Sequence, residues 1–462
     1  MTTTSTIAPR AFAVWWKDVE RWVIPSSLLL RHALPPGWER IRVGSLIRQV
    51  TERVKAEPEK EYKMAGVKWY GEGVFHRETV RGDGMSATYV TQLVPGALIY
   101  NRLFAWKASF AVVPPEHADC FVSSEFPQFI PDPKRILPEY LYLFCTRNAT
   151  IRAVNAASTG SAAVSRNRFK EDQFLGFEIA LPPLAEQKAI VTRWRKAQDN
   201  IAKNREKIDK IKSQLETDFL RDIDISVSSA KQRRGAFSVA WKDVERWDTF
   251  FYRYDFFALE KQFLRIKHIP LGAVVRFISR NWKRSDFPDE FFEYIEISSV
   301  TKNDGIVGSK RVDISNAPSR ATTLLKAGDI ILSTTRPYLG AFAVVPEQYG
   351  GYVCSSGFAL ADGITHDELD KDFLMYFLKT AAGLRQMERR MTGGLYPAIT
   401  QDELGRIKIP LPPKSLQKKI MERVAEGRAE IAREQEAAER LSKEISAEVE
   451  ALIIGSKSLR EQ

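Results

Sequence analysis

Two stretches of the sequence combine basic side chains with small polar ones and glycine. They read STGSAAVSRNRFK and LRQMERRMTGGLYPAIT. Arginine and lysine neutralise phosphates or pair with guanine, asparagine pairs with adenine, and glycine lets a loop backbone approach a ligand closely. This chemistry predicts contact with a nucleic acid. The candidate residues in these stretches are Ser161, Arg166, Asn167, Arg168, Arg389, Arg390, Thr392 and Tyr396.

A second set of candidates comes where two predicted strands end. The runs GALIY and GDIIL are apolar, as is typical of buried strands, and they are followed by NRLFAWKASF and STTRPYLGAF. Side chains at the end of a strand can reach a groove of a nucleic acid. For any single residue an ion pair or a solvated surface position is an equally good interpretation, so the prediction depends on the clustering. These candidates are Asn101, Arg102, Lys107, Arg336 and Tyr338.

The charge of the chain also favours a polyanionic partner. The 69 lysines and arginines exceed the 58 aspartates and glutamates, for a formal net charge of +11. A surplus of this kind suits contacts to DNA phosphates. The sequence contains no apolar run of the roughly 18 residues that a membrane span needs, and its three scattered cysteines suit a reducing compartment. We therefore expect a cytoplasmic protein with double-stranded DNA as partner and no association with a membrane.

Motifs for catalysis are missing from the sequence. It contains neither GxxxxGK[ST] nor GxGxxG for nucleotide binding, and no [NDS]PP[YFW] of the kind that holds a flipped base for methylation. The five histidines have no metal-ligand spacing. We therefore expect no catalytic residue, no metal site and no bound cofactor, and any catalysis would come from a partner.

The chain is an internal repeat. AFAVWWKDVERW returns as AFSVAWKDVERW, FAVVP occurs twice, SSEF is matched by SSGF, and LPPLAEQKAI is matched by LPPKSLQKKI. Both halves therefore run through the same series of parts. Each half begins with short β-branched and aromatic runs punctuated by Gly, Asp and Pro, which predicts a mixed α/β (α+β) domain.

A long helix is predicted at the end of each half. The segments Leu184–Asp222 and Lys414–Ile453 lack proline, and their apolar residues step by alternating four and three from Ile190 to Phe219 and from Ile420 to Val449. We expect two repeated globular domains separated by a pair of long antiparallel coiled-coil helices, with Asn204 and Glu434 as polar seam positions that help to fix the register. The alternative is that each helix packs on its own domain. The predicted boundaries are 1–183 for domain 1, 184–222 for helix 1, 223–413 for domain 2 with its linker, and 414–462 for helix 2 and the tail.

The motif LPPxxxQKxI at the start of each long helix, together with GALIYNR and GDIILSTTR, resembles the specificity subunit of bacterial type I restriction-modification systems. The resemblance covers nearly the whole chain. It implies two target recognition domains that each read one part of a bipartite DNA sequence. It also implies two modification (methyltransferase) subunits with S-adenosylmethionine, and restriction (translocase) subunits with ATP and Mg²⁺, as partners.

The resemblance further implies that the repeated segments and the helix starts dock the methyltransferase subunits. The WKDVERW tryptophans have an alternative interpretation, in which they pack into the start of each domain. A specificity subunit of a type IIB-like restriction-methylation enzyme, and a duplicated protein-binding scaffold, are the alternative functions. The docking candidates are Trp16, Trp22, Glu186, Gln187, Trp241, Trp247 and Gln417.

Overall fold

The structure is a computed structural model that describes residues 34–158, 168–227, 239–241, 244–394 and 397–457. Its contacts divide the chain into two compact units. Unit 1 is Met1–Asn204 with Ala437–Gln462, and unit 2 is Arg205–Glu436. Each unit therefore includes one part of each long helix, and the two long helices do not form a third compact unit.

Unit 1 is built on two sheets and a short ribbon. The strand orders are β3-β6-β9-β4-β5, β2-β10-β7-β8 and β1-β11. The strands are β1 Glu39–Arg42, β2 Ile47–Gln49, β3 Val54–Lys55, β4 Glu61–Val67, β5 Val74–Arg81, β6 Tyr89–Gln92, β7 Leu98–Tyr100, β8 Phe110–Val112, β9 Cys120–Val122, β10 Gln128–Pro131 and β11 Glu178–Leu181. The helices that follow these strands are α1 Pro138–Thr146, α2 Asn148–Ala157, α3 Glu171–Leu175 and α4 Leu184–Asp222.

Unit 2 repeats this plan. Its sheet β13-β22-β19-β20 and its ribbon β12-β23 match those of unit 1. Its sheet β17-β14-β21-β18 matches the five-stranded sheet of unit 1 without a counterpart of β3, and β15-β16 is an added hairpin. The strands are β12 His268–Pro270, β13 Val275–Ile278, β14 Phe291–Ile295, β15 Val300–Thr301, β16 Gly305–Ile306, β17 Lys310–Asp313, β18 Ala321–Leu324, β19 Ile330–Ser333, β20 Phe342–Val344, β21 Val353–Ser355, β22 Phe358–Ile364 and β23 Lys408–Pro410. The helices are α5 Tyr254–Phe263, α6 Leu271–Val274, α7 Lys371–Lys379, α8 Ala381–Arg390, α9 Gln401–Gly405 and α10 Lys414–Ile453.

The core of each unit forms where helices cover the central strand of a sheet. All three residues of β7 are buried, and the ring of Tyr100 lies 5.6 Å from that of Phe174 between their centroids. In unit 2 all four residues of β19 are buried, and Phe373 and Phe377 of α7 belong to the same core. The central strand therefore holds the chain rigidly up to the residue where the loop after it begins.

The two long helices pair antiparallel within each unit. In unit 1, Ile190 of α4 shares a core with Val449 of α10. In unit 2, Lys207 contacts Glu434 at 2.6 Å and Asp222 contacts Arg423 at 2.6 Å, so partner numbers fall along α10 as they rise along α4. These contacts confirm the predicted pair of antiparallel helices and the predicted α/β domains. They do not fit the alternative in which each helix packs on its own domain.

Two seam positions of the helix pair have a clear structural role. Glu434, a predicted register residue, has its carboxylate bound by Lys207. At Gly427 the helices approach so closely that an added Cβ would lie 2.5 Å from Cδ1 of Leu215. Glycine at this heptad position therefore permits the close packing of α10 on α4 in unit 2.

Candidate nucleic-acid interface

Three loops meet at the end of the central strand in each unit. Loop A follows that strand (residues 101–109 in unit 1, 334–341 in unit 2). Loop B precedes β10 or β22, the neighbouring strand in the sheet (123–127 and 356–357), and loop C precedes the short helix α3 or α9 (158–170 and 391–400). Residues 159–167 and 395–396 of loop C lie outside the described residues. The described candidates of loops A and C, which come from two distant stretches of each half, therefore lie near one another.

The same backbone hydrogen bonds join the loops in both units. In unit 1 the amide of Arg102 donates to the carbonyl of Glu125 (3.0 Å), and the amide of Phe169 donates to the carbonyl of Arg102 (3.0 Å). In unit 2 the amide of Thr334 donates to Gly357 (2.8 Å), and the amide of Ile399 donates to Thr334 (2.8 Å). One residue of loop A thus connects loops B and C in each unit.

Loop A has the same shape in both units. It contains a 3₁₀ turn, Ala105–Lys107 in unit 1 and Pro337–Leu339 in unit 2. The residue that closes the turn is left-handed, with φ of 55° at Ala108 and 69° at Gly340. Because the backbone is fixed in this way, the side chains of the turn are presented from equivalent positions.

Two of the loop A candidates in unit 1 have structural partners. Asn101 is 9% exposed, and its Oδ1 accepts a hydrogen bond from the amide of Leu103 at 3.0 Å. Asn101 therefore shapes the loop, and the expectation that it contacts a base is corrected. The guanidinium of Arg102 forms a half-buried ion pair with Glu171 at the start of α3, which holds loop A against that helix.

Lys107 and Arg168 are the basic candidates with accessible side chains in unit 1. The Lys107 ammonium lies 3.6 Å from the centroid of the Trp69 ring. Arg168 is half exposed and donates two hydrogen bonds to Glu125, at 3.2 and 3.0 Å, which raise the pKa of its guanidinium. Arg168 stays a candidate for phosphate or base contacts, since an exposed ion pair is weak and can exchange its partner. Lys107 also stays a candidate, since its ammonium lies over the Trp69 ring beside loop A.

Unit 2 presents a different set from the same loops. Arg336 is exposed, its backbone is left-handed with φ of 48°, and its amide donates to the carbonyl of Pro397 in loop C at 2.8 Å. Tyr338 is 38% exposed. Thr392 is exposed and forms a β-bridge with Ala398. These three candidates therefore lie on one surface formed by loops A and C.

Arg389 and Arg390 are buried, which corrects their assignment as DNA contacts. The guanidinium of Arg389 binds Glu260 at 2.9 Å, and that of Arg390 binds Glu245 at 3.0 Å and Glu403 at 2.8 Å. Burial lowers the pKa of Arg389, whereas at Arg390 burial is outweighed by hydrogen bonds to Glu403 and Glu245 that raise its pKa. Both arginines join α8 to the segments around it, and their charges are compensated by these carboxylates.

Several candidates fall outside the described residues. They are Ser161, Arg166, Asn167 and Tyr396 of the DNA-binding set, and Trp16 and Trp22 of the docking set.

Gln187 and Gln417, the glutamines of the repeated helix start, are fully buried. Gln187 Nε2 donates to the carbonyls of Arg135 and Pro182 (both 2.9 Å), and its Oε1 accepts from the amide of Leu137 (2.9 Å). The same three bonds recur around Gln417, to the carbonyls of Glu368 and Pro412 and from the amide of Asp370, each at 2.8 Å. Their expected docking role is corrected, because both amides are used in tying the helix start to the preceding loops.

The other described docking candidates are more accessible. Glu186 is half-buried and accepts a hydrogen bond from the indole of Trp38 at 3.1 Å. Trp241 and Trp247 are 78% and 85% exposed, and their ring centroids lie 5.6 Å apart. An exposed pair of tryptophans is characteristic of a protein-binding surface, so the prediction for these two residues stands.

The sequence analysis missed an aromatic pair beside loop A of unit 1. Trp69 and Tyr70, in the turn between β4 and β5, are 42% and 73% exposed. The signal in the sequence is their position directly before Gly71 and Gly73, which marks an exposed turn. Within the described part of the chain, no group of three or more residues could hold a metal ion, and no helix is long and apolar enough to cross a membrane.

A family model for the type I restriction modification DNA specificity domain matches residues 36–213 and 275–439. The chain belongs to this specificity family. The two matched ranges fall in the two halves of the repeat, and they include loops A and B of both units.

Relatives of the specificity family match smaller parts of the chain. The HindI specificity subunit of a type I restriction enzyme from Haemophilus influenzae is 26% identical over 157 residues, 34% of this chain and 34% of that protein. The MjaVIII specificity subunit from Methanocaldococcus jannaschii is 28% identical over 113 residues, 22% of this chain and 24% of that protein. The chain thus matches only about a third and a quarter of the lengths of these relatives. A solved structure from work on the assembly and conformational transition of the type I restriction-modification system matches 91% of this chain and 99% of its own, with a TM-score of 0.53 and 17% identity, and shares the fold.

Proposed function

We propose that the chain is the DNA-recognition subunit of a type I restriction-modification complex, and that each unit reads one half of a bipartite target. The observation that carries this proposal is the three-loop surface, which is built from the same backbone hydrogen bonds in both units. The membership of the chain in the specificity family supports the same function. A duplicated surface on two units suits two contacts along one DNA molecule.

The side chains on the common backbone differ between the units. At equivalent positions of loop A, unit 1 has Phe104 where unit 2 has Arg336, and Lys107 where unit 2 has Leu339. Arginine can pair bidentately with guanine, whereas lysine and an aromatic ring make different contacts. The two half-sites are therefore different sequences, and the target is not a palindrome.

Partner proteins supply the chemistry in this proposal. Two methyltransferase subunits carry S-adenosylmethionine, and restriction subunits carry ATP and Mg²⁺, while this chain contributes recognition and no catalytic group. The exposed Trp241 and Trp247 are the docking residues that the structure best supports. The complex acts in the cytoplasm, where its DNA substrate is found.

The test is reconstitution of the chain with the methyltransferase encoded beside it, followed by sequencing of the methylated adenines. We expect methylation confined to one split sequence, and binding that weakens steeply with salt because phosphate contacts release counterions. Arg336→Ala relaxes sequence preference in one half-site only. The matched control, Arg276→Ala, removes an exposed arginine paired with Asp362, toward the end of β22 remote from loop B, and leaves the target unchanged.

Two results would contradict the proposal. The first is an active complex whose methylation pattern is unaffected by every substitution in loops A and C. The second is a chain that captures no methyltransferase and binds DNA without salt dependence, which would favour the duplicated protein-binding scaffold.

A further inference from the structure

The turn between β4 and β5 presents two aromatic side chains next to loop A of unit 1. The ring of Trp69 lies 5.2 Å from that of Phe104 and under the ammonium of Lys107. The amide of Gly71 donates to the carbonyl of Ala108 at 2.9 Å. The turn is therefore attached to loop A by a tilted aromatic contact, by a cation–π contact and by a backbone hydrogen bond, and the two form one continuous surface.

Tyr70 stands at the tip of this turn with a constrained backbone. Its φ is 57°, in the left-handed region, which is strained for a residue other than glycine. The turn is closed by a bond from the amide of Lys68 to the carbonyl of Gly73 (2.9 Å) and by the hydroxyl of Tyr142, which donates to the carbonyl of Gly71 (2.8 Å). A strained residue held in place by its surroundings is characteristic of functional positions.

The exposure of Tyr70 has no structural benefit. Its side chain is 73% exposed, so the ring buries little apolar surface in the free protein. In unit 2 the turn after β14 contains Ile297–Ser299, with serines instead of the aromatic pair. The feature therefore belongs to unit 1 and to the half-site that unit 1 reads, and it is not a requirement of the common fold.

We propose that Tyr70 is an aromatic wedge that stacks into one base step of the double-stranded half-site read by unit 1. The inference rests on the proposed function and adds a specificity-determining contact to it. Aromatic and apolar side chains of DNA-binding proteins insert between base pairs and open a step, and flexible pyrimidine–purine steps open most readily. Trp69 backs the wedge, and the Lys107 ammonium adds positive charge at its base, where the phosphates of an opened step would lie.

The experiment uses the complex reconstituted with its methyltransferase, and duplexes that carry 2-aminopurine at each position of the two half-sites in turn. Stacking loss at the opened step raises the fluorescence of 2-aminopurine. Besides any enhancement from base opening by the methyltransferase, the wild-type complex is expected to give an enhancement at the wedge step, in the half-site that Arg336→Ala leaves unaffected. Tyr70→Gly removes the ring and relieves the backbone strain. It is expected to abolish that enhancement and to weaken binding by about tenfold or more, as loss of one base–aromatic stack does.

Three further variants make the result specific. Tyr70→Phe keeps the ring and retains both the enhancement and the affinity. Tyr70→Asn, which also tolerates the left-handed backbone, repeats the glycine result if the ring is what matters. Tyr254→Ala, the control, removes a tyrosine that is 68% exposed on α5 of unit 2 and changes neither readout.

The outcomes separate the wedge from the proposed function. If Tyr70→Gly binds the split target with unchanged affinity and unchanged fluorescence, the wedge is wrong and the specificity-subunit proposal is intact. If the wild-type complex recognises no split sequence at all, both are overturned. If every enhancement of the wild-type complex persists in Tyr70→Gly, the base opening is due to the methyltransferase and the wedge is also overturned.

Discussion

Units 1 and 2 share a backbone frame, which is the main chain of their equivalent strands, helices and loops. They differ in side chains that this frame carries. The left-handed residue that closes loop A is Ala108 in one unit and Gly340 in the other, and the same amide–carbonyl pairs join loops A, B and C in both. Several of the side chains carried by the loops differ, such as Phe104 against Arg336 and Lys107 against Leu339. Main-chain hydrogen bonds thus keep the position of the surface constant, and side chains are free to change what it recognises.

The two units also differ at the C-terminal ends of α2 and α8, which are equivalent helices of units 1 and 2. The last two residues of α2 are Ala156 and Ala157, and the last two of α8 are Arg389 and Arg390. In unit 2 the arginines bind carboxylates of segments that pack around α8. The same helix end is therefore apolar in one unit and part of a buried ion-pair network in the other.

The sharpest test of the shared frame is removal of the two buried glutamines. Gln187→Ala and Gln417→Ala each leave two carbonyls and one amide without their partners, and each is expected to lower the free energy of unfolding by about 4 kcal/mol. Thermal denaturation with probes in each unit measures the effect. The exposed Gln214 on α4, bonded only to Asp218, is the control, and Gln214→Ala changes stability by less than about 0.5 kcal/mol. Unequal losses in the free energy of unfolding for Gln187→Ala and Gln417→Ala would show that the two glutamines stabilise their units to different extents.

The ion-pair network of unit 2 is tested by Arg390→Ala. Removal of this guanidinium leaves the carboxylate of Glu403 with weaker partners, and we expect a loss of about 3 kcal/mol in the free energy of unfolding. Arg406, which faces the same two carboxylates but is 59% exposed, is the matched control, with a loss of at most about 1 kcal/mol on substitution by alanine. DNA affinity per folded molecule should not change in either variant. A selective loss of DNA binding in Arg390→Ala would contradict its structural role.

A smaller effect is expected at the ends of α1 and α7. The last residue of α1 is Thr146, and its hydroxyl donates a hydrogen bond to the carbonyl of Tyr142. The last residue of α7 is Lys379, and burial lowers the pKa of its ammonium to about 8. Below pH 8 the folded protein must keep this desolvated ammonium charged, at a cost in stability. Lys379→Met is expected to raise the free energy of unfolding at pH 7 by about 2 kcal/mol.

The stabilisation expected for Lys379→Met should depend on pH, because the pKa of Lys379 differs between the folded and the unfolded chain. Between pH 8 and the ordinary lysine value of 10.5, the unfolded chain holds the proton and the folded chain has released it, so wild-type stability rises with pH. The advantage of Lys379→Met should therefore shrink steadily across this interval in denaturation curves. An advantage that is the same at pH 7 and pH 10 would rule out desolvation of Lys379 as its cause.

The smallest effect on stability is expected at Arg168. Its ion pair with Glu125 is exposed, so Arg168→Ala should leave the melting temperature unchanged. If the arginine exchanges Glu125 for a phosphate, the salt dependence of DNA binding should fall by about one unit of slope. Glu125→Gln, which frees the arginine, should strengthen binding at low salt, and equal slopes for wild type and Arg168→Ala would remove this residue from the interface.

The duplicated frame could be predicted from the sequence because it depends on local patterns. The apolar runs that form β7 and β19, the Leu-Pro-Pro breakers and the heptads of α4 and α10 are all short-range signals. These features survive as predicted because their causes lie within a few residues of each other in the chain.

The partners of buried polar groups could not be predicted in this way. Arg389 and Arg390 looked like phosphate contacts, but their carboxylates come from Glu260 and Glu245, more than a hundred residues earlier. Gln187 looked like a surface residue of a helix start, but its bonds go to a loop some fifty residues before it. Whether a charged or amide side chain faces solvent depends on long-range packing, which residue type alone does not encode.

The division of the chain between the units also sets an order of folding. Unit 2 is the continuous stretch Arg205–Glu436, but unit 1 is completed only by residues from Ala437 onward. Ile445, Val449 and Leu452 fill the same core as Ile190. On the ribosome, unit 1 therefore waits with an open apolar face while the whole of unit 2 is made, and such a face is prone to aggregate or to recruit chaperones. The half that is synthesised first is expected to be the last to close.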